Sequence, residues 1–188
     1  MTKLSKQKIR QVFIKNRKNI KSRKKFERLL NDKLFEFFAK EEKKTEIAGY
    51  SAVNGEICIL DALKKLLKKK ENTVCLPKIE NNTRKLTFIA WDINIPMKKS
   101  KYDIPVPVFG KIVVPKYLLI PLVAFDKNKN RIGYGGGYYD TTLNHYKKEN
   151  QFFVSIGVAF DQQECSSIPI ENFDQRLDFV ITPTRIVS

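Results

Sequence analysis

Tyr117 to Phe125 is an apolar run that no charged residue interrupts, and Asp126 ends it. A strand that is apolar at consecutive positions is buried on both faces. Such a strand belongs in the interior of a sheet that is covered on both faces. The residues after the run narrow that reading. A polar stretch from Asp126 leads through Arg131 to Gly133, Tyr134, Gly135, Gly136 and Gly137, and a helix is expected near 138–148. Four of the 8 glycines fall within five residues. In an open α/β sheet, ligands sit at the carboxyl ends of strands. A glycine-rich turn there brings backbone N–H groups close to an anion, and the helix start adds its positive dipole end. Arg131 suits a bidentate phosphate contact. Asp140 lies where a carboxylate holds Mg2+, a hard cation that prefers oxygen ligands. On these residues alone a flexible turn, with glycine supplying strained dihedrals, remains an equal reading. No Gly-Lys-Ser/Thr follows, and Tyr138 stands where a dinucleotide fingerprint needs its third glycine, so the common nucleotide motifs are absent.

The rest of the chain alternates helices with short strands. Ile9, Phe13 and Ile20 predict a helix over roughly 3–19. Ser22 is the expected N-cap of a second, whose face runs through Phe26, Leu29, Leu30, Lys33, Phe37 and Phe38, with Leu34 beside it. Residues 57–70 resume helical spacing. Strands are expected at 47–52, 73–76 (stopped by Pro77), 85–91, 152–159 and 178–181. Residues 92–117, with Pro96, Pro105, Pro107 and Pro115, read as an irregular surface connection. The alternation predicts an α/β fold with a mainly parallel sheet. A length of 188 residues predicts one domain over 1–188, with 1–44 a basic helical region packed on the core.

Charge enters next, because the chain carries a net +16. Residues 1–44 hold 16 Lys/Arg against 5 Asp/Glu, and the remainder 20 against 15. The first reading is a polyanion partner: nucleic acid, an anionic membrane or a phosphorylated small molecule. Glu27, Asp32, Glu36, Glu41 and Glu42 interrupt the basic segment, which argues against a transit peptide, and it lacks the apolar stretch of a secretory signal. No stretch of about 18 apolar residues is present to span a membrane. A single histidine, His145, excludes a multi-His zinc site. Cys58, Cys75 and Cys165 form no CxxC, so neither a disulfide framework nor a redox motif is indicated, and a reducing cytoplasm is expected.

The strings Pro121–Asp126 and Asn130–Asp140 together resemble the hallmark of the 5-formyltetrahydrofolate cyclo-ligase (methenyltetrahydrofolate synthetase) family. That hallmark is a strand ending in Phe-Asp, then Arg-Leu-Gly-x-Gly-x-Gly-Tyr-Tyr-Asp, with Ile132 here in the place of Leu. Weaker likenesses extend over nearly the whole chain. Lys6 and Arg10 resemble an N-terminal Lys-x-x-x-Arg. Ser51 through Glu56 resemble the segment where a glutamate meets the pterin. Tyr102–Pro107 resembles an aromatic-x-Ile-x-x-Pro segment, and Asp174–Asp178 a final Asp-x-x-x-Asp. Tyr134 and Gly136 depart from members that carry a polar or basic side chain there.

The resemblance implies a Rossmann-like three-layer sandwich and an ATP- and Mg2+-dependent enzyme. Its reaction converts 5-formyltetrahydrofolate to 5,10-methenyltetrahydrofolate with release of ADP and phosphate, by phosphorylation of the formyl oxygen and attack by N10. It implies that Lys6, Arg10 and Arg131 meet the ATP phosphates, with Ile132, Gly133, Tyr134, Gly135, Gly136, Gly137, Tyr138 and Tyr139 around the nucleotide. Arg131 and Tyr138 stand nearest the chemistry. Ser51, Glu56, Tyr102 and the loop from Tyr134 to Tyr138 meet the folate, Glu56 as acceptor for pterin N–H donors and Tyr102 as an aromatic wall. Asp140 and Asp174 hold the metal. The implied setting is a cytoplasmic monomer acting on a folate, polyglutamylated or not, with no nucleic acid and no membrane.

Simpler readings stand beside these. Lys6 and Arg10 fit a solvated helix face, Glu56 an acid at the start of the helix over 57–70, Asp174 a surface turn or cap, Tyr139 packing, and Asp126 a loop-shaping role. A nucleic-acid-binding module with steep salt dependence is one rival. Another α/β enzyme for phosphorylated substrates is the second, since fold alone does not fix chemistry.

Overall fold

The apolar run at 117–125 is two strands, because the chain leaves the central sheet after Pro121. The computed structural model describes residues 5–41 and 44–188. The helices are α1 (Lys6–Lys18), α2 (Arg23–Ala39), α3 (Leu60–Leu67) and α4 (Tyr138–Lys148). The strands are β1 (Glu46–Ala48), β2 (Thr73–Ile79), β3 (Leu86–Ala90), β4 (Met97–Lys99), β5 (Pro105–Pro107), β6 (Ile112–Val113), β7 (Tyr117–Pro121), β8 (Ala124–Phe125), β9 (Arg131–Ile132), β10 (Val154–Val158), β11 (Phe179–Ile181) and β12 (Ile186–Val187). Residues 3 and 4 of the expected first helix, and Glu42, lie outside the described residues.

Eight strands form one sheet in the order β12-β11-β10-β7-β1-β2-β3-β6. The five from β11 to β2 run parallel, and β12, β3 and β6 add antiparallel edges. From β1 the chain moves outward to β2, then resumes on the other side of β1 with β7. The strand order therefore reverses between β1 and β7. Such a switch point opens a crevice above the carboxyl ends of the two strands.

Alternation along the strands divides the core. Ile47, Val74, Leu119, Ile156 and Ile181 face α2 and α3, where Leu30, Leu34, Phe38, Leu63 and Leu66 meet them. Ala48, Cys75, Leu118, Ile120 and Val180 face α4, packing with Leu143 and Tyr146. Each large apolar side chain buried this way contributes roughly 1.5–3 kcal/mol. The result is the expected three-layer arrangement. A third, smaller cluster seats Ile9 of α1, flanked by Phe13, on Val123, Ala124, Ile132 and Ile168.

Local expectations shift in four places. The buried stripe of α2 is Leu30, Leu34 and Phe38, so Leu34 is central, while Leu29 is 38% exposed. Ser22 holds the N-cap position, but in left-handed backbone (φ 55°) and without a side-chain cap bond. Pro77 does not stop β2. Val74 accepts from Trp91 on the β3 side and Cys75 accepts from Gly49 on the β1 side. Alternation then turns the Pro77 nitrogen toward the β1 side, where β1 has already ended at Ala48, so no ladder bond is lost. Finally, residues 92–117 are less irregular than their prolines suggest: β4 and β5 form a hairpin, and β6 extends the sheet.

Candidate active site

Above the switch point lies a cleft of about 560 Å³. Its walls are the turn after β1, the glycine loop between β9 and α4, the segment 100–104, one face of α1 and the segment 171–174. Each residue singled out from the sequence as a site candidate lines this cleft.

The glycine loop follows from its backbone needs. Gly135 (φ 96°) and Gly137 (φ 70°) adopt conformations that side chains rarely tolerate. Gly137 is the N-cap of α4, and its carbonyl accepts from Thr141. The first-turn N–H groups of α4 are left without helical partners, beside the cleft. The Tyr138 ring lies over Gly136, 2.8 Å from where a Cβ would stand, so the absence of a side chain at Gly136 makes room for the ring. Asp126 shapes the loop: it accepts from the backbone N–H groups of Asn128 and Asn130 and, with its other oxygen, from Ile168.

At one end of the cleft, cations and carboxylates are paired. Lys6 Nζ lies 2.5 Å from Asp174 and 2.7 Å from Glu171, over the Phe173 ring. Burial works against the ammonium, but the two carboxylates outweigh it and raise its pKa above the ordinary value. Arg131 reaches Asp140 at 2.7 Å and the Gln175 carbonyl with its other nitrogen. Its side chain is only 5% exposed. Burial lowers its pKa, with Asp140 pulling the other way. Each carboxylate is bound through one oxygen, Asp140 by Oδ1 and Asp174 by Oδ2, so each has a second oxygen without a hydrogen bond among the described residues. Arg10, one turn after Lys6, anchors Nε on the Gly133 carbonyl at 2.7 Å and lays its guanidinium against Gly135.

At the other end sits Glu56, 6% exposed. It is not part of a helix start, because α3 begins at Leu60, where Asp61 is the first-turn acid. Glu56 instead closes the turn at 53–56, accepting from Val53 N–H at 2.9 Å. Burial pushes its carboxyl up to about 7, opposed by that N–H, by Arg17 and by the Tyr134 hydroxyl. Ser51 donates to the Pro105 carbonyl at 2.8 Å, tying this turn to β5. Over the mouth, the Tyr102 and Tyr138 hydroxyls stand 3.5 Å apart. Tyr102 is 65% exposed and left-handed (φ 62°), a strained conformation for an aromatic residue.

The sequence model of the 5-formyltetrahydrofolate cyclo-ligase family matches residues 2–183. The chain belongs to the 5-formyltetrahydrofolate cyclo-ligase family. Among its relatives, the 5-formyltetrahydrofolate cyclo-ligase of Haemophilus influenzae is 35% identical over 134 residues, 68% of this chain and 70% of that protein. That of Mycoplasma genitalium is 30% identical over 152 residues, 81% of each. The solved 5,10-methenyltetrahydrofolate synthetase of Mycoplasma pneumoniae shares the fold, with a TM-score of 0.77 at 23% identity over 96% of this chain and 99% of that one. Membership in the cyclo-ligase family makes the chain a ligase of folate metabolism.

Within this cyclo-ligase framework, several residues lining or bracing the cleft escaped the sequence reading. Glu171 and Phe173 join Lys6 and Asp174, and Gln175 receives Arg131 and donates its N–H to Asp140. Arg17 is the largest omission. It lies eleven positions after Lys6, about three helical turns, on the stripe that carries Lys6 and Arg10 into the cleft. That spacing was the available signal.

Proposed function

We propose that this chain closes 5-formyltetrahydrofolate to 5,10-methenyltetrahydrofolate with ATP and Mg2+ as the driving pair. The observation that carries the reading is one cleft with two chemically different ends: N–H donors, cations and part-free carboxylates at one, a buried carboxylate at the other. A formamide carbon is a poor electrophile because nitrogen donates into it, and ring closure must also expel the oxygen. Bound MgATP supplies a phosphoryl group to the formyl oxygen, which makes that oxygen a leaving group for attack by N10. The protein's part is positioning and charge stabilisation.

The residues fit that pair. Among the described residues no cluster of three or more His, Cys, Asp or Glu gathers as a dedicated metal site. Mg2+ in phosphoryl transfer needs only one or two carboxylates besides phosphate and water. Asp140 and Asp174 supply them through their second oxygens. Arg10, Lys6 and the loop N–H groups meet the phosphates. Arg131, read from the sequence as a phosphate contact, has its terminal nitrogens on Asp140 and the Gln175 carbonyl, so it holds Asp140 in place and adds positive charge behind the phosphates. Glu56 accepts the pterin N–H donors, and Ser51, Tyr102 and Tyr138 line the folate side. The same reading makes 1–188 one cyclo-ligase domain, a cytoplasmic monomer acting on folates with or without a polyglutamate tail. Much of the basic charge of α1 then belongs to its cleft-facing stripe, and the rest serves solubility and general attraction of anions.

Purified protein with ATP, Mg2+ and 5-formyltetrahydrofolate should accumulate the methenyl chromophore, with one ADP per turnover. No chromophore from well-folded protein would refute the assignment.

A further inference from the structure

One cation buried behind the cleft wall, bonded to the lining residues Asn54 and Tyr134, has no part in the roles given so far. Arg17 is 1% exposed. Its Nη1 donates to the Leu122 carbonyl at 2.9 Å, and its Nη2 donates to the Asn54 carbonyl at 2.9 Å and to the Tyr134 hydroxyl. Its Nε has no partner among the described residues. The three acceptors come from three segments: the chain leaving β7, the turn after β1, and the glycine loop. Burying a guanidinium with no carboxylate in direct contact is expensive, and an apolar side chain would fill the space more stably. A role beyond packing is therefore indicated.

The Tyr134 hydroxyl identifies that role. Arg17 Nη2 bridges the Asn54 carbonyl, in the turn that Glu56 closes, and the Tyr134 hydroxyl, so the hydroxyl keeps its own proton for a further acceptor. Glu56 lines the same cleft, and the hydroxyl favours its charged form. Glu56 has no cation bonded directly to its carboxylate among the described residues; it accepts from Val53 N–H, and Arg17 and the Tyr134 hydroxyl favour its charged form against burial. Other groups face it without competing. Tyr50, after β1, and Tyr139, on α4, are kept neutral by burial. Arg23 of α2 bonds only its backbone carbonyl.

We propose that Arg17 and Tyr134 are positioning residues for Glu56: the guanidinium orients the hydroxyl, and the hydroxyl holds the carboxylate in the orientation and charge state that accepts the folate ring. This rests on Glu56 being the folate acceptor. It makes position 134, in the middle of a phosphate-binding loop, a determinant of folate affinity more than of nucleotide affinity.

The test is direct binding of 5-formyltetrahydrofolate and, separately, of ATP between about pH 5.5 and 8.5. It compares the wild type with Glu56→Gln, Tyr134→Phe and Arg17→Lys, each first shown to melt cooperatively. Tyr134→Phe should weaken folate binding about tenfold, with a far smaller change for ATP. Without the hydroxyl, Glu56 takes up its proton at higher pH, so the acid-side loss of folate binding should move up by about one pH unit. Arg17→Lys should shift both readouts in the same direction. If Arg17→Lys does not fold, Tyr134→Phe carries the test, since Tyr134 is 41% exposed and loses one oxygen. Loss of folate binding in Glu56→Gln, with wild-type affinity and pH profile in Tyr134→Phe, would overturn the relay alone. Equal loss of ATP and folate binding in Tyr134→Phe would also overturn it. Unchanged folate binding in Glu56→Gln would overturn the underlying reading of Glu56, and the relay with it.

Discussion

The two ends of the cleft hold charge in opposite ways. At the α1 end, each carboxylate already faces a cation: Asp174 faces Lys6, and Asp140 faces Arg131. At the end formed by the turn after β1, Glu56 accepts from a backbone N–H, and no cation touches its carboxylate among the described residues. The paired end holds each carboxylate against a cation at 2.5–2.7 Å, with its second oxygen facing no donor among the described residues. The unpaired end is poised near neutrality and answers to small changes in its surroundings. One cleft thus combines carboxylates in direct contact with cations and a carboxyl that burial raises to about 7, and the difference is whether the counter-charge touches.

The harshest way to break this contrast is to remove a cation from the paired end. Arg131→Ala leaves Asp140 without its partner in a largely buried setting. It should cost about 3 kcal/mol of stability and lower turnover by about 10²–10³-fold, read by chemical denaturation and methenyl formation. Wild-type turnover would take Arg131 out of the machinery.

The unpaired end should behave differently. Glu56→Gln should weaken folate binding about tenfold while sparing ATP. It should also stabilise the protein at neutral pH and above. The folded carboxyl is raised from an ordinary 4.5 to about 7, so the unfolded chain gives up this proton first. Stability is then lost as pH rises from about 4.5 to 7, by about 2–3 kcal/mol. The wild-type melting temperature should fall across that window, and that of Glu56→Gln should fall less. Equal slopes would place Glu56 in a solvated setting.

Two gentler changes sharpen the picture. Asp174→Asn removes one of the two carboxylates at Lys6 and should raise the Mg2+ needed for half-maximal rate about fivefold; an unchanged metal titration would make Asp174 purely structural. Tyr102→Phe removes a hydroxyl from an exposed contact at the cleft mouth. Its effect on folate affinity should be below about twofold, and a larger change would mean that the hydroxyl touches substrate.

Legibility in the sequence followed how local the controlling physics was. The helix expected near 138–148 spans Tyr138–Lys148, and its markers are local: glycine before it, an acid in the first turn and basic residues in the last. The parallel core was readable from unbroken apolar strands. The continuation of β2 through Pro77 was not, since it depends on where a neighbouring strand ends. Glu56 looked like a helix-start charge because the turn that it closes is set by Asn54 (φ 50°) and Gly55 (φ 78°), shortly before Ile59, the N-cap of α3. Arg17 was invisible as a buried group because nothing in its own helix buries it; the acceptors lie 37, 105 and 117 positions away.

Helix α1 has a consequence of its own. Its apolar attachment is the small cluster around Ile9, and much of what holds it down is polar: Lys6 on the 171–174 segment, Arg10 on the glycine loop and Arg17 on three acceptors. Lifting this one helix would disassemble both ends of the cleft at once while leaving the sheet and its two main layers intact. Ligands that bind the assembled cleft will therefore suppress that opening by mass action. The slowing of amide hydrogen exchange on ligand binding should be concentrated in α1, far more than in the strands that carry the fold.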